Sequence, residues 1–207
     1  MTGADDGFPD SGKQRDLIEA TLECIAELGI QGTSVRAVAA RAGVSNGLIR
    51  HHFDAKANLI LAAYRRTIEL ISTNSMRELR ATDGTPHARL RRFIVATLDT
   101  PASNSRLLSL WATFVSQSRV DPEIAAIREE SYLALRHATE PLIAAVFAAE
   151  GRALSAEELE STTVVVHAML DGLWIEAGLS QSPDGVEKLI ALGIRSIEKL
   201  LDIRLQP

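Results

Sequence analysis

Gly32-Thr33-Ser34-Val35-Arg36-Ala37-Val38-Ala39-Ala40-Arg41-Ala42-Gly43-Val44-Ser45-Asn46-Gly47-Leu48-Ile49-Arg50-His51-His52-Phe53 is the stretch whose reading decides the fold. A first short helix is expected after Thr33 and Ser34, ending near Ala42–Gly43, and a second from Ser45 to about His52. Two helices that cross at a steep angle need a small residue at the crossing, and Ala39 supplies it. The tight turn between them needs a residue that tolerates positive φ, which Gly43 provides. Val38, Val44 and Ile49 then wedge the pair onto the preceding helix, and Ser45 caps the following one by satisfying its free backbone N–H groups. The pattern is that of a helix-turn-helix, whose second helix fits a major groove about 12 Å wide.

Working outward, the apolar periodicity stays helical. Ile18, Leu22 and Ile25 stripe a helix that Gly29 stops, and Ile60, Tyr64, Ile68 and Ile71 stripe a long one reaching about Ala81. Thr85–Pro86, Asp121–Pro122 and Ser182–Pro183 each read as an N-cap followed by a first-turn proline. Ser155 with Glu158 reads as a capping box, and Pro141 predicts a kink or break in the helix that opens near Asp121. With no strand-period alternation of useful length, the expected fold is all-α with about nine helices. Residues 1–12 read as a flexible arm, 13–60 as the helix-turn-helix domain and 61–207 as a larger helical domain for ligand binding and dimerisation.

The 207 residues are 46% hydrophobic and 24% charged, an ordinary globular composition. The most apolar stretch, 162–179, is interrupted by His167, Asp171 and Glu176, so no membrane span is expected. The acidic, glycine-containing start lacks the blocks of a signal peptide, and a cytoplasmic location is expected. Cys24 alone allows neither an internal disulfide nor a cysteine-based metal site. Net charge is −5, but between Thr33 and Arg66 six basic residues face the single acid Asp54. That segment is +5 and the rest of the chain −10, a basic segment on an acidic body, as DNA-backbone contacts require. A solvated basic face would read the same way.

The run from Ser45 through His51-His52-Phe53 to Lys56 and Leu59, with the preceding Gly32 to Val44, resembles the signature of the TetR family of bacterial repressors over residues 13 to 62. The resemblance implies a palindromic double-stranded operator, a homodimer, a small-molecule effector and no cofactor. It implies that Thr33 or Ser34 and Arg36 meet phosphate and that Gly47 lets the recognition helix approach the DNA closely. Ser45, Asn46, Arg50, His51 and His52 would face the groove or its flanks, Lys56 would reach a phosphate, and Phe53 would be core. Where most members carry tyrosine this chain has Arg50, and arginine can bond guanine O6 and N7 together. Adjacent His51 and His52 point about 100° apart on a helix and do not make a metal pair.

In the second half, Trp111-Ala112-Thr113-Phe114 and Asp171-Gly172-Leu173-Trp174 resemble the BetI subfamily, which represses the choline-to-betaine pathway and responds to choline. Val115 stands where a second tryptophan is expected. His167, Asp171 and Trp174 fall at i, i+4, i+7 on one helix face, with Leu159, Thr163, Val166, Leu170 and Leu173 on the other. Trp111, Phe114, His167, Asp171 and Trp174 are therefore the candidate pocket, an aromatic cage for a quaternary ammonium balanced by a carboxylate. Plain core packing accounts for the same aromatic residues and for His167. The broad apolar stripe of the last helix, with Gly172 and Gly193 as close-approach points, suits a four-helix dimer interface. The functional expectation is a dimeric, ligand-responsive transcriptional repressor. An acyl or aromatic effector is the near alternative. A small all-helical enzyme is the distant one, since no phosphate loop, nucleophile elbow or metal-ligand spacing is present.

Overall fold

The computed structural model describes residues 9–103, 106–180 and 184–205, and every regular element among them is a helix. In chain order these are α1 (Pro9–Gly32), α2 (Val35–Ala42), α3 (Asn46–Phe53), α4 (Lys56–Arg80), α5 (Pro86–Ser103), α6 (Arg106–Gln117), α7 (Pro122–Ala149), α8 (Ala156–Leu179) and α9 (Gly185–Leu201). They divide into two compact units, Met1–Ile68 with Ser109–Ile127, and Glu69–Leu108 with Arg128–Pro207.

Local chemistry sets the helix ends. Gly29 takes φ 67°, ψ 173° and interrupts the regular part of α1. Thr33 closes that corner, its backbone N–H and its hydroxyl both donating to Gly29 O at 3.1 and 2.8 Å. Ser34 caps α2 by accepting from Ala37 N at 3.1 Å. Thr85 and Asp121 cap α5 and α7 through Ala88 N and through Glu123 N and Ile124 N. Both halves of the Ser155–Glu158 capping box are formed. Ser182 and Pro183 lie outside the described residues; α9 opens at Gly185 after Asp184.

No break forms at Pro141. α7 continues through it to Ala149 as one helix. Proline costs a helix one hydrogen bond and a clash with the carbonyl four residues back. Here that carbonyl belongs to His137, and both His137 and Pro141 are on the exposed side, where water can take the freed acceptor.

The first unit's core joins Leu17, Ala20 and Cys24 of α1, Val38 and Ala39 of α2, Ile49 and Phe53 of α3, and Leu59 of α4. In the second unit α5 packs on α8 and α9, and α8 packs on α9. Leu90, Phe93, Ile94 and Leu98 of α5, Val166, Leu170 and Trp174 of α8, and Ile197 and Leu201 of α9 are its buried side chains. Gly193 is needed inside this packing, because a Cβ there would come within 2.8 Å of Leu98 Cδ1 and 3.2 Å of Leu173 Cδ1. Gly172 is the opposite case: a Cβ there would meet nothing within 4 Å.

Gly43 holds the α2–α3 turn in the left-handed region at φ 66°, ψ 33°, and a Cβ there would meet nothing within 4 Å. The cost of a side chain at Gly43 is therefore conformational alone. Gly43→Ala is expected to lower stability by about 1 kcal/mol, and Gly43→Asn by less. Urea denaturation of the two variants checks this; equal and negligible losses would mean the turn relaxes out of the left-handed region.

Candidate nucleic-acid interface and effector site

α1 and α2 form a braced platform for α3. The Arg41 guanidinium forks onto both Glu27 carboxylate oxygens, one at 2.7 Å, and reaches Glu23 at 3.3 Å. That pairing raises the Arg41 pKa and lowers that of Glu27. Arg66 likewise pairs with Glu19 at 2.9 Å. Two of the six cations in the basic segment are thus committed to acids of α1, which lie outside the segment whose charge was counted. Arg36 and Arg50 are exposed, and Lys56 is half-buried with its ammonium donating to Ile30 O at 3.3 Å.

Along α3, Asn46, Gly47, Arg50 and His51 are exposed, His52 is half-buried, and Ile49 and Phe53 face the core. Ser45 is exposed and caps the helix through Leu48 N at 3.4 Å. A Cβ at Gly47 would meet only Ser45 Oγ, at 3.6 Å, so its missing side chain serves nothing inside the chain. Thr33 is 1% exposed and its hydroxyl proton goes to Gly29, which places it in the corner rather than on the surface; Ser34 beside it is exposed. Asn58, which the sequence reading did not single out, ties the α3–α4 turn by donating to Phe53 O at 2.9 Å.

Of the pocket candidates, Trp111 and Phe114 lie on α6 in the first unit, whereas His167, Asp171 and Trp174 lie on α8 in the second. Phe114 is fully buried and stacked on Tyr64 at 4.5 Å between ring centroids. Trp111 is half-buried. The expected division of α8 into a ligand face and a core face is not what forms. His167 and Trp174 share the buried surface with Thr163, Val166 and Leu170. The helix is apolar on nearly all sides, so spacing alone could not say which face is covered.

His167 Nε2 lies 3.1 Å from Thr139 Oγ1, and its ring stands edge-on to Phe93 at 6.1 Å. Thr139 already donates its one proton to Leu135 O at 2.8 Å. The histidine must therefore be the donor, which fixes the neutral tautomer with hydrogen on Nε2. Burial, and secondarily the charge of Arg136, pushes its pKa down to about 4. One turn on, Asp171 is half-buried; desolvation raises its pKa, opposed by a hydrogen bond from the Tyr132 hydroxyl and by Arg136 and Arg128. Arg128, Tyr132 and Arg136 come from α7 at i, i+4, i+8, a single face. That spacing is visible in the sequence, but without the facing helix it has no partner to point to. Tyr132 pairs with Asp171 and Thr139 with His167, so α7 and α8 run antiparallel along this cluster.

A family model described as "Bacterial regulatory proteins, tetR family" matches residues 17–63. A second, "BetI-type transcriptional repressor, C-terminal", matches residues 86–202, more than half of the chain. The chain belongs to the TetR family of transcriptional regulators, with a C-terminal domain of the BetI type. The HTH-type transcriptional regulator BetI of Burkholderia thailandensis is 28% identical over 189 residues, 91% of this chain and 93% of the relative. A putative transcriptional regulator from Pseudomonas aeruginosa PAO1 superposes with a TM-score of 0.83 at 28% identity, covering 93% of this chain and 91% of that one. A putative regulator from Saccharomonospora viridis, solved in complex with choline, superposes with a TM-score of 0.73 at 23% identity over 91% of this chain and 96% of its own. The α1–α3 platform is thus the helix-turn-helix of a TetR-type regulator, and the C-terminal helices form its ligand-binding domain. These relatives are regulators rather than enzymes, and no described helix is long and apolar enough to cross a membrane.

Proposed function

We propose that the chain acts as a homodimer on a palindromic operator and is released when a small molecule binds its C-terminal domain. The observation that carries the DNA half is α3 itself: Asn46, Gly47, Arg50 and His51 are exposed along a helix whose other side is locked into the core by Ile49 and Phe53. Ser34, Arg36 and Lys56 flank it as backbone contacts, with Ser45 and His52 at the rim of the groove. Release requires that the effector bind the DNA-incompetent arrangement better than the competent one. The site we assign to it is built around Asp171, with Trp174 on the same helix and His167 beside them as packing.

What stays uncovered supports the dimer. Ser161, Val165, Ala168, Gly172 and Leu179 form an exposed stripe on α8 at helical spacing, and Leu192 and Leu200 are exposed on α9. Val165 is 46% and Leu179 64% exposed, apolar surface that a second copy of the same helices would cover. Two copies place two recognition helices in successive major grooves about 34 Å apart.

Arg50 is expected to read a guanine. Arg50→Ala then weakens operator binding about tenfold and relaxes preference at one position of each half-site. Selection of binding sites from a random pool by wild type and variant checks it; an equal loss on every sequence reassigns Arg50 to phosphate. With Arg36 and Lys56 as the phosphate cations of each head, about four phosphates are neutralised per dimer. The logarithm of affinity should then fall with the logarithm of salt concentration with a slope of about −4. A protein that binds DNA without an operator shows the salt slope but no change of sequence preference, and one that binds no DNA shows neither.

A further inference from the structure

The polar cluster between α7 and α8 has a charge balance that the operator-and-effector reading leaves open. Arg128 and Arg136 are half-buried, and the Nε atom of each is buried with no hydrogen-bond acceptor among the described residues. Arg128 lies over the Tyr132 ring, its Cζ 4.7 Å from the centroid. Neither guanidinium forms an ion pair among the described residues; the charge of both acts on Asp171, which the Tyr132 hydroxyl already engages. Along α7 the two arginines start roughly 12 Å apart, with Tyr132 midway, so long side chains can converge on one group opposite Asp171. A buried guanidinium N–H without an acceptor is costly, and two of them on one helix face call for an acceptor such as a bound group or water.

We propose that the effector of this regulator carries a carboxylate, which pairs with Arg128 and Arg136 beside Asp171. Two fixed guanidiniums against one carboxylate leave one positive charge to neutralise, which fits a monoanion. The planar fork of arginine matches a carboxylate through two parallel hydrogen bonds, giving the site both charge and orientation. Trp174, 5% exposed on the same helix as Asp171, offers an aromatic wall for the rest of the molecule. A simple cation such as choline would meet two like charges before it met Asp171, so an aromatic cage alone does not set the ligand class here. This inference rests on the α7–α8 cluster being the effector site of a DNA-releasing regulator.

Two matched pairs of probes test it: glycine betaine against choline, with the trimethylammonium held constant, and hexanoate against hexylamine, with the alkyl body held constant. Binding is read by thermal shift and by tryptophan fluorescence, and release by operator mobility shift. The expected result is that the carboxylate member of at least one pair binds at least tenfold tighter than its counterpart and releases the operator. Arg136→Met should remove that preference while leaving ligand-free operator binding within twofold of wild type. It should also raise the melting temperature of the ligand-free protein, because an unpaired buried charge is exchanged for an apolar chain of similar length. No carboxylate preference in either pair, whether because both cationic members bind tighter or because the members of each pair bind alike, overturns the proposal. So does a lower melting temperature for Arg136→Met, which would make Arg136 a structural residue. Absence of any operator binding by the wild type would instead overturn the regulator reading on which the proposal stands.

Discussion

Gly172→Leu is expected to split the proposed dimer without harming the fold, and with it to weaken operator binding by about two orders of magnitude. A Cβ at Gly172 meets nothing within 4 Å inside the chain, and the residue lies on the exposed stripe with Val165 and Ala168. Glycine within a helix costs roughly 0.5–1 kcal/mol relative to a good helix former, so the substitution favours α8 in an isolated subunit. A glycine kept there against propensity, facing outward, is explained by another backbone coming close. A leucine would hold that partner helix off by several ångströms and empty the interface of its packing. Each operator half-site is then bound by an independent head, and the gain from linking two binding events, about 10²–10⁴, is lost. Sedimentation at micromolar concentration should show a monomer with an unchanged helical circular dichroism spectrum. Val165→Glu, also on an exposed position, should do the same through charge rather than bulk. If both variants sediment as dimers, the α8 stripe is not the interface.

Gly172 and Gly193 show which part of the structure the sequence could convey. Both are small residues on apolar helices, and both read as points of close approach. Only coordinates distinguish Gly193, pressed by Leu98 and Leu173 of its own unit, from Gly172, which faces outward. Local chemistry was legible in advance: Gly43 at the turn, Ser45 as the cap and Ser155–Glu158 as the box depend on neighbours within a few residues, and each has one geometric solution. Charge was less legible. Counting over Thr33 to Arg66 could not reveal that Arg41 and Arg66 are answered by Glu23, Glu27 and Glu19, because those partners are brought in by the fold. The same holds for the polar cluster between α7 and α8. Asp171 and His167 stood out as polar residues in an apolar helix, but Arg128, Tyr132 and Arg136 gained meaning only when α7 lay antiparallel beside them. Pro141 does not break α7, because both it and His137, whose carbonyl it frees, lie on the exposed side, which local sequence does not reveal.

His167 supplies the second large effect, a loss of stability on mild acidification. An unfolded histidine titrates near 6.5, while burial holds His167 in the folded chain down at about 4. Above pH 6.5 both states are neutral and stability is unaffected. Between 6.5 and 4 the unfolded chain takes up a proton that the native chain refuses, so stability falls as pH falls. Below about 4 both states are protonated and the loss stops. The separation corresponds to about 3 kcal/mol, most of it gone by pH 4.5. Asp171 acts in the opposite sense, since desolvation raises its pKa and its protonation on acidification favours the native state. The contribution of His167 is therefore read as a difference between proteins. In His167→Met the ring's volume is largely kept, and the Thr139 hydroxyl retains its bond to Leu135 O. Urea denaturation at pH 7.5, 6.0 and 4.5 should show wild type losing about 2–3 kcal/mol more than the variant across that range. Parallel curves would mean that the native ring takes up its proton as readily as a solvated one, and that the Thr139–Phe93 environment does not exclude its charged form.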